Sequence, residues 1–146
     1  MKKLNNFIDG KSLPAKSGAT SEIINPATGT AYATAPVSGA PDVDSALSAA
    51  SKAFVEWRET TPAERQRALN KIADALEARS EELIAIEVEN TGKPVSLTTS
   101  EEVPPMLDQI RFFAGAARNL EGKSAGEYMR GMTSFIRREP IGVCAQ

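Results

Sequence analysis

Apolar positions divide the chain into an alternating amino-terminal third, three stretches with helical spacing, and an extended tail. Between residues 5 and 37 the pattern is that of strands and turns. Asn6-Phe-Ile-Asp-Gly-Lys11 contains Asp-Gly, a two-residue hairpin signal. Asn25-Pro26 opens a second turn and Gly29 closes it, ahead of the alternating run Thr30–Pro36. Two small antiparallel hairpins are predicted. A first helix is predicted to start near Ser38–Pro41, where Pro41 fits the first turn and Asp42 and Asp44 face the positive dipole end. Its apolar positions are Val43, Ala46, Leu47, Ala50, Phe54 and Trp57. Thr61-Pro-Ala-Glu64 has the form of a capping box, with hydroxyl and carboxylate each satisfying an end amide of the helix. Leu69, Ile72, Leu76, Leu83 and Ile86 continue as one stripe, so one helix is predicted from there to the stop at Gly92 and Pro94. A third helix carries Val103, Met106, Leu107, Ile110, Phe113, Ala117 and Leu120; Pro104-Pro105 make it start near Ser100 or bend there. Glu127–Met129 and Thr133–Arg137 form a ribbon around Gly131, and Ile141–Ala145 fits the opening of a fully buried strand. That pattern runs on to Gln146, so the chain is expected to be part of a longer protein.

Composition narrows the chemistry. With 146 residues, 41% of them hydrophobic, the chain is suited to one ordinary domain. A net charge of −2, with no basic cluster longer than a pair, offers no footprint for nucleic acid. No apolar run approaches the ~20 residues that span a bilayer, and Met1-Lys-Lys-Leu-Asn-Asn-Phe7 lacks the apolar core of a secretory signal. The single cysteine suits a reducing compartment, and a cytoplasmic location is the expectation. The chain has no histidine, which removes Ser-His-Asp and Cys-His catalysis and His-containing zinc sites. No glycine-rich phosphate motif occurs either. Catalysis by these residues alone is not expected.

The order Phe7-Ile-Asp-Gly10, Ile24-Asn-Pro-Ala-Thr-Gly29, Phe54-Val-Glu-Trp57, Pro62-Ala-Glu-Arg65, Gly92-Lys-Pro94 and Arg138-Glu-Pro-Ile-Gly142 resembles the amino-terminal part of the NAD(P)-dependent aldehyde dehydrogenases. Each motif is weak alone; six in register cover essentially the whole chain. Arg111–Arg118, Ala125–Tyr128 and Thr133–Arg138 look most like the aminoaldehyde branch, the 4-aminobutyraldehyde dehydrogenases first and the betaine aldehyde dehydrogenases next. The resemblance implies an α/β fold. Residues 1–122 would form hairpins and three helices of the cofactor domain, 123–140 an oligomerisation ribbon, and 141–146 the first strand of a Rossmann-like core. The whole protein would be a homodimer or tetramer oxidising an omega-aminoaldehyde, such as 4-aminobutanal, to the acid with NAD or NADP. In the family a cysteine thiolate adds to the aldehyde, hydride passes to the nicotinamide, and a glutamate-activated water hydrolyses the thioester. The oxyanion Asn lies in a Pro-Trp-Asn motif that this sequence does not contain, so no catalytic or cofactor-binding residue is carried over.

Candidate residues have competing readings. Cys144 sits in an apolar strand pattern without a cationic neighbour, which makes it a small core residue rather than a nucleophile. Glu101-Glu102 complement a helix dipole; the resemblance adds a substrate role, with Glu102 meeting the ammonium of an aminoaldehyde. The resemblance also implies a monovalent-cation site from the Ile24 carbonyl and Asn90, where many family members have Asp; a neutral amide would bind more weakly. Trp57, Phe112 and Phe113 have the spacing of core residues. Arg137-Arg138 read as a solvated or subunit-facing pair. The rival to an enzyme is a helical and β-ribbon interaction module without chemistry.

Overall fold

The computed structural model describes residues 1–146 apart from the side chains of Ala125 and Tyr128. Both predicted amino-terminal hairpins form. Strands β2 (Asn6–Ile8) and β3 (Lys11–Leu13), which follow the two-residue β1 (Lys2–Lys3), pair antiparallel around Asp9 and Gly10, with φ of 53° and 73°. Positive φ at both central positions matches the right-handed twist of the flanking strands. Strands β4 (Thr20–Asn25) and β5 (Thr30–Pro36) pair antiparallel, with an irregularity between Ile23 and Ile24. Asn25 organises their turn: its Oδ1 accepts from the Ala27 amide at 2.9 Å and its carbonyl from the Gly29 amide at 2.8 Å. The pattern gave no warning of β1, which adds parallel to β5 and makes the sheet order β1-β5-β4. Two lysines carry no strand signal; backbone hydrogen bonds to the open edge of β5 supply one.

Helix α1 (Ala40–Trp57) begins as predicted. The Asp42 carboxylate, 5% exposed, accepts from the Gly39 amide at 3.0 Å and the Lys16 amide at 2.9 Å. It thus caps the helix and ties the β3–β4 connection to it. The same two amides hold its pKa below the usual carboxylate value. At α2 (Pro62–Glu77) the capping box is complete: Glu64 N–H donates to Thr61 Oγ1 at 3.3 Å, and Thr61 N–H donates to Glu64 Oε2 at 2.7 Å.

The single second helix of the sequence reading is two helices, α2 and α3 (Ser80–Thr91), broken at Arg79. Arg79 sits at φ −117°, ψ 20°, in the bridge region, and its amide donates to the Leu76 carbonyl in a tightened turn. The apolar stripe is blank at this point: between Leu76 and Leu83 the next helical positions are Arg79 and Ser80. No buried side chain there holds a straight helix together.

The prolines of the third helix are accommodated by widening the turn before them. A short α4 (Val95–Leu97) runs into a π-helical turn, Thr98–Glu102, and then into α5 (Val103–Ala116). In a regular helix Pro104 and Pro105 would have to donate to the carbonyls of residues 100 and 101, which they cannot. Val103 donates instead to the Thr98 carbonyl, five residues back. Helices α2 and α5 pack together over buried Ala73, Leu107 and Ala114. Arg111 joins them from the rim by reaching Asp74 and Glu77.

The ribbon is longer than predicted: β6 (Lys123–Met129) pairs antiparallel with β7 (Met132–Ile136) around Gly131, φ 79°. Gly122 lies so close that a Cβ there would come 2.5 Å from the Ile136 carbonyl oxygen.

Two packing expectations are not met within these residues. Residues 141–146 form no strand here, Ile141 is 94% exposed and Cys144 is exposed. A strand needs a backbone to pair with, and among the described residues no strand pairs with this segment. Trp57, Phe112 and Phe113 are likewise exposed, although the two phenylalanines stack edge to face at 5.3 Å. On the stripe that carries Phe113, Leu107 is buried against α2 while Phe113 itself stays open.

Candidate functional site

The candidate residues gather where α3 ends against the β4–β5 hairpin. Gly92 stops the helix at φ 73°, its amide donating to the Val88 carbonyl at 2.9 Å. A side chain at Gly92 would also meet Pro26, whose Cγ lies 2.9 Å from where the Cβ would be. The glycine thus serves both the turn and the seating of α3 on the Asn25-Pro26 corner. A shallow groove beside it is lined by Asn25, Ala27, Ile84, Val88, Lys93 and Val95.

Asn90 lies two residues before that stop, exposed, and its Oδ1 accepts a 2.9 Å hydrogen bond from the Tyr32 hydroxyl. Tyr32 follows Ala31, the cross-strand partner of Ile24. Strand and helix bearing Ile24 and Asn90 are therefore joined through Tyr32. The amide oxygen keeps one lone pair, and neither Ile24 nor Asn90 brings a formal charge. Among the described residues no group of three or more acidic, Cys or His side chains is gathered as a metal site. The donor set fits at most a weakly held hard cation.

Glu102 has a partner that sequence spacing did not reveal. Lys93 Nζ lies 2.8 Å from its Oε1 and 3.1 Å from its Oε2, and donates to Glu87 Oε1 at 2.9 Å. Glu102, then Glu87, raises the Lys93 pKa above its ordinary value. Separations of six and nine residues match no helical side-chain pair, so only the turn at Gly92-Lys93-Pro94 brings the three together. Glu102 is thus already engaged by a cation. Glu101 stays exposed.

Nothing in this arrangement cradles a dinucleotide: no glycine-rich turn leads from a strand into a helix among the described residues. The residues present do not fit NAD.

Residues 13–146 match the family model described as the aldehyde dehydrogenase family, and the chain belongs to that family. It is 40% identical to the protein DhaS of Bacillus subtilis (strain 168), over 96% of this chain and 28% of that protein. It is 38% identical to acetaldehyde dehydrogenase 2 of Cupriavidus necator, over 97% of this chain and 28% of that protein. The crystal structure of PnpE in complex with nicotinamide adenine dinucleotide superposes with a TM-score of 0.90 at 35% identity, covering 94% of this chain and 28% of that one. The chain spans about 28% of the length of the curated relatives it matches. The fold is the amino-terminal part of the family's α/β architecture, as the resemblance implied.

Proposed function

We propose that this chain is scaffold within an NAD(P)-dependent aldehyde dehydrogenase, and that the thiol, base and oxyanion donors come from outside its 146 residues. The observation that carries this reading is the family match across residues 13–146 in a chain that has no histidine and one exposed cysteine. The overall reaction takes aldehyde and water to carboxylic acid, the hydride leaving to the nicotinamide. The test is aldehyde-dependent reduction of NAD or NADP by the intact protein, followed by nicotinamide absorbance. Absence of turnover with aliphatic, aromatic and amino-substituted aldehydes would overturn the reading.

The aldehyde is proposed to be an omega-aminoaldehyde such as 4-aminobutanal. The support is the likeness of residues 111–118, 125–128 and 133–138 to that branch, and the carboxylate of Glu102. The ion pair with Lys93 works against a free carboxylate, so the experiment is a comparison of substrates. In the intact enzyme, Glu102→Gln is expected to raise KM for 4-aminobutanal and leave butanal unchanged. Equal effects on both would remove Glu102 from recognition.

Two further assignments belong to this reading. Ile24 and Asn90 are proposed to hold a monovalent cation, tested by melting the intact protein in potassium against a bulky organic cation; identical curves refute it. The ribbon at 123–140 is proposed to join subunits into a dimer or tetramer. Phe135, 71% exposed on β7, is the position to challenge. Phe135→Glu is expected to lower the sedimentation coefficient of the intact protein, and an unchanged value would refute the role.

A further inference from the structure

Three neighbouring features bear on the geometry of the π-helical turn. The turn Thr98–Glu102 is a departure from helical geometry, held by the Val103 amide donating to the Thr98 carbonyl. Three successive hydroxyls bond back into the preceding turn: Thr98 to the Pro94 carbonyl at 3.3 Å, Thr99 to Val95 at 2.7 Å and Ser100 to Ser96 at 3.0 Å. Such back-bonds compete with the regular ladder and bend a helix. The third feature is Lys93, whose ammonium spans from Glu87 on α3 to both carboxylate oxygens of Glu102 at the end of the turn.

We propose that Lys93 is a positioning strap: by bridging Glu87 and Glu102 it holds the π-helical turn in its widened register and sets where α5 starts relative to α3. The prolines alone explain why the ladder must open near residues 100 and 101. They do not say where the extra residue goes, and a strap on the last residue of the turn decides that. The hydroxyl back-bonds are short-range and would follow the chain into either register; the Lys93 bridge joins separate elements and would not. Both carboxylates are on the surface side of the fold yet only partly exposed, so the bridge is neither buried nor fully screened. The strap is independent of which aldehyde is oxidised, because it acts on backbone geometry without substrate.

The test is amide hydrogen exchange on the intact protein without substrate or cofactor. Lys93→Met is expected to speed exchange across residues 98–103 about three- to tenfold, the scale of losing one or two partly exposed ion pairs, while α1 and the β4–β5 hairpin keep their protection. Glu102→Gln should reproduce that local loss, and Lys93→Arg should restore much of the protection. Unchanged exchange at 98–103 in both Lys93→Met and Glu102→Gln would overturn the strap, as would a loss spread evenly over the chain. A strap that holds while Glu102→Gln leaves aminoaldehyde kinetics untouched would separate this role from substrate recognition.

Discussion

Single positions in this chain carry definite backbone duties. Gly92 combines a left-handed conformation with a close approach to Pro26, so a methyl group there is opposed twice. Gly92→Ala is expected to destabilise the intact protein by about 1–2 kcal/mol from the backbone term alone, visible as a lower thermal midpoint. Thr61→Ala removes the hydroxyl half of the capping box and is expected to cost about 1 kcal/mol in denaturant unfolding. Asp42 adds a pH signature. Its folded pKa is depressed by the Lys16 and Gly39 amides, so its stabilisation is present above the unfolded carboxylate value and is lost as pH falls through the folded one. Asp42→Asn should therefore lower the thermal midpoint at neutral pH, and its deficit should shrink below about pH 4. A deficit that stays constant down to pH 3 would remove the charge from the argument.

Between residue and molecule, the helical elements show where periodicity suffices and where it stops. The boundaries at Pro62 and Gly92 were legible because each is made by local chemistry: a cap, a proline without a needed amide, a glycine at positive φ. The break at Arg79 was hidden because Leu76 and Leu83 still fall on one stripe; only the missing apolar residue between them marked it. Arg79→Leu is expected to extend exchange protection across residues 78–81 if that gap causes the break, and unchanged protection would refute the explanation. The π-helical turn was announced by Pro104-Pro105 as a bend, but its register depends on Lys93 reaching two carboxylates at non-helical separations. The two asparagine-led features fared similarly. The Asn25 turn was local and readable, whereas the Tyr32–Asn90 hydrogen bond spans 58 residues and was not.

At the scale of the whole molecule the buried apolar set among the described residues is small: Ala15, Ala33, Ala73, Leu107 and Ala114. Phe7, Phe112, Phe113, Phe135 and Ile141 lie open. A polypeptide of only residues 1–146 is therefore expected to self-associate and to bind an apolar dye, and to give no aldehyde-dependent NAD reduction. A well-behaved monomer in sedimentation, without dye binding, would contradict the first expectation.

Sequence alone determined the hairpins, the capped helix starts, the glycine and proline stops, and the order of motifs that resembles the aldehyde dehydrogenases. These depend on neighbours a few residues apart, where backbone preference and side-chain reach decide the outcome. Tertiary structure decided that Lys2–Lys3 is a strand, that Arg79 divides a helix, that Glu102 is held by Lys93, and that Trp57 and Phe113 stay open while Leu107 is buried. Each of these depends on which distant surface arrives opposite. A one-dimensional pattern shows that a face is apolar or a carboxylate is present, but not what stands across from it.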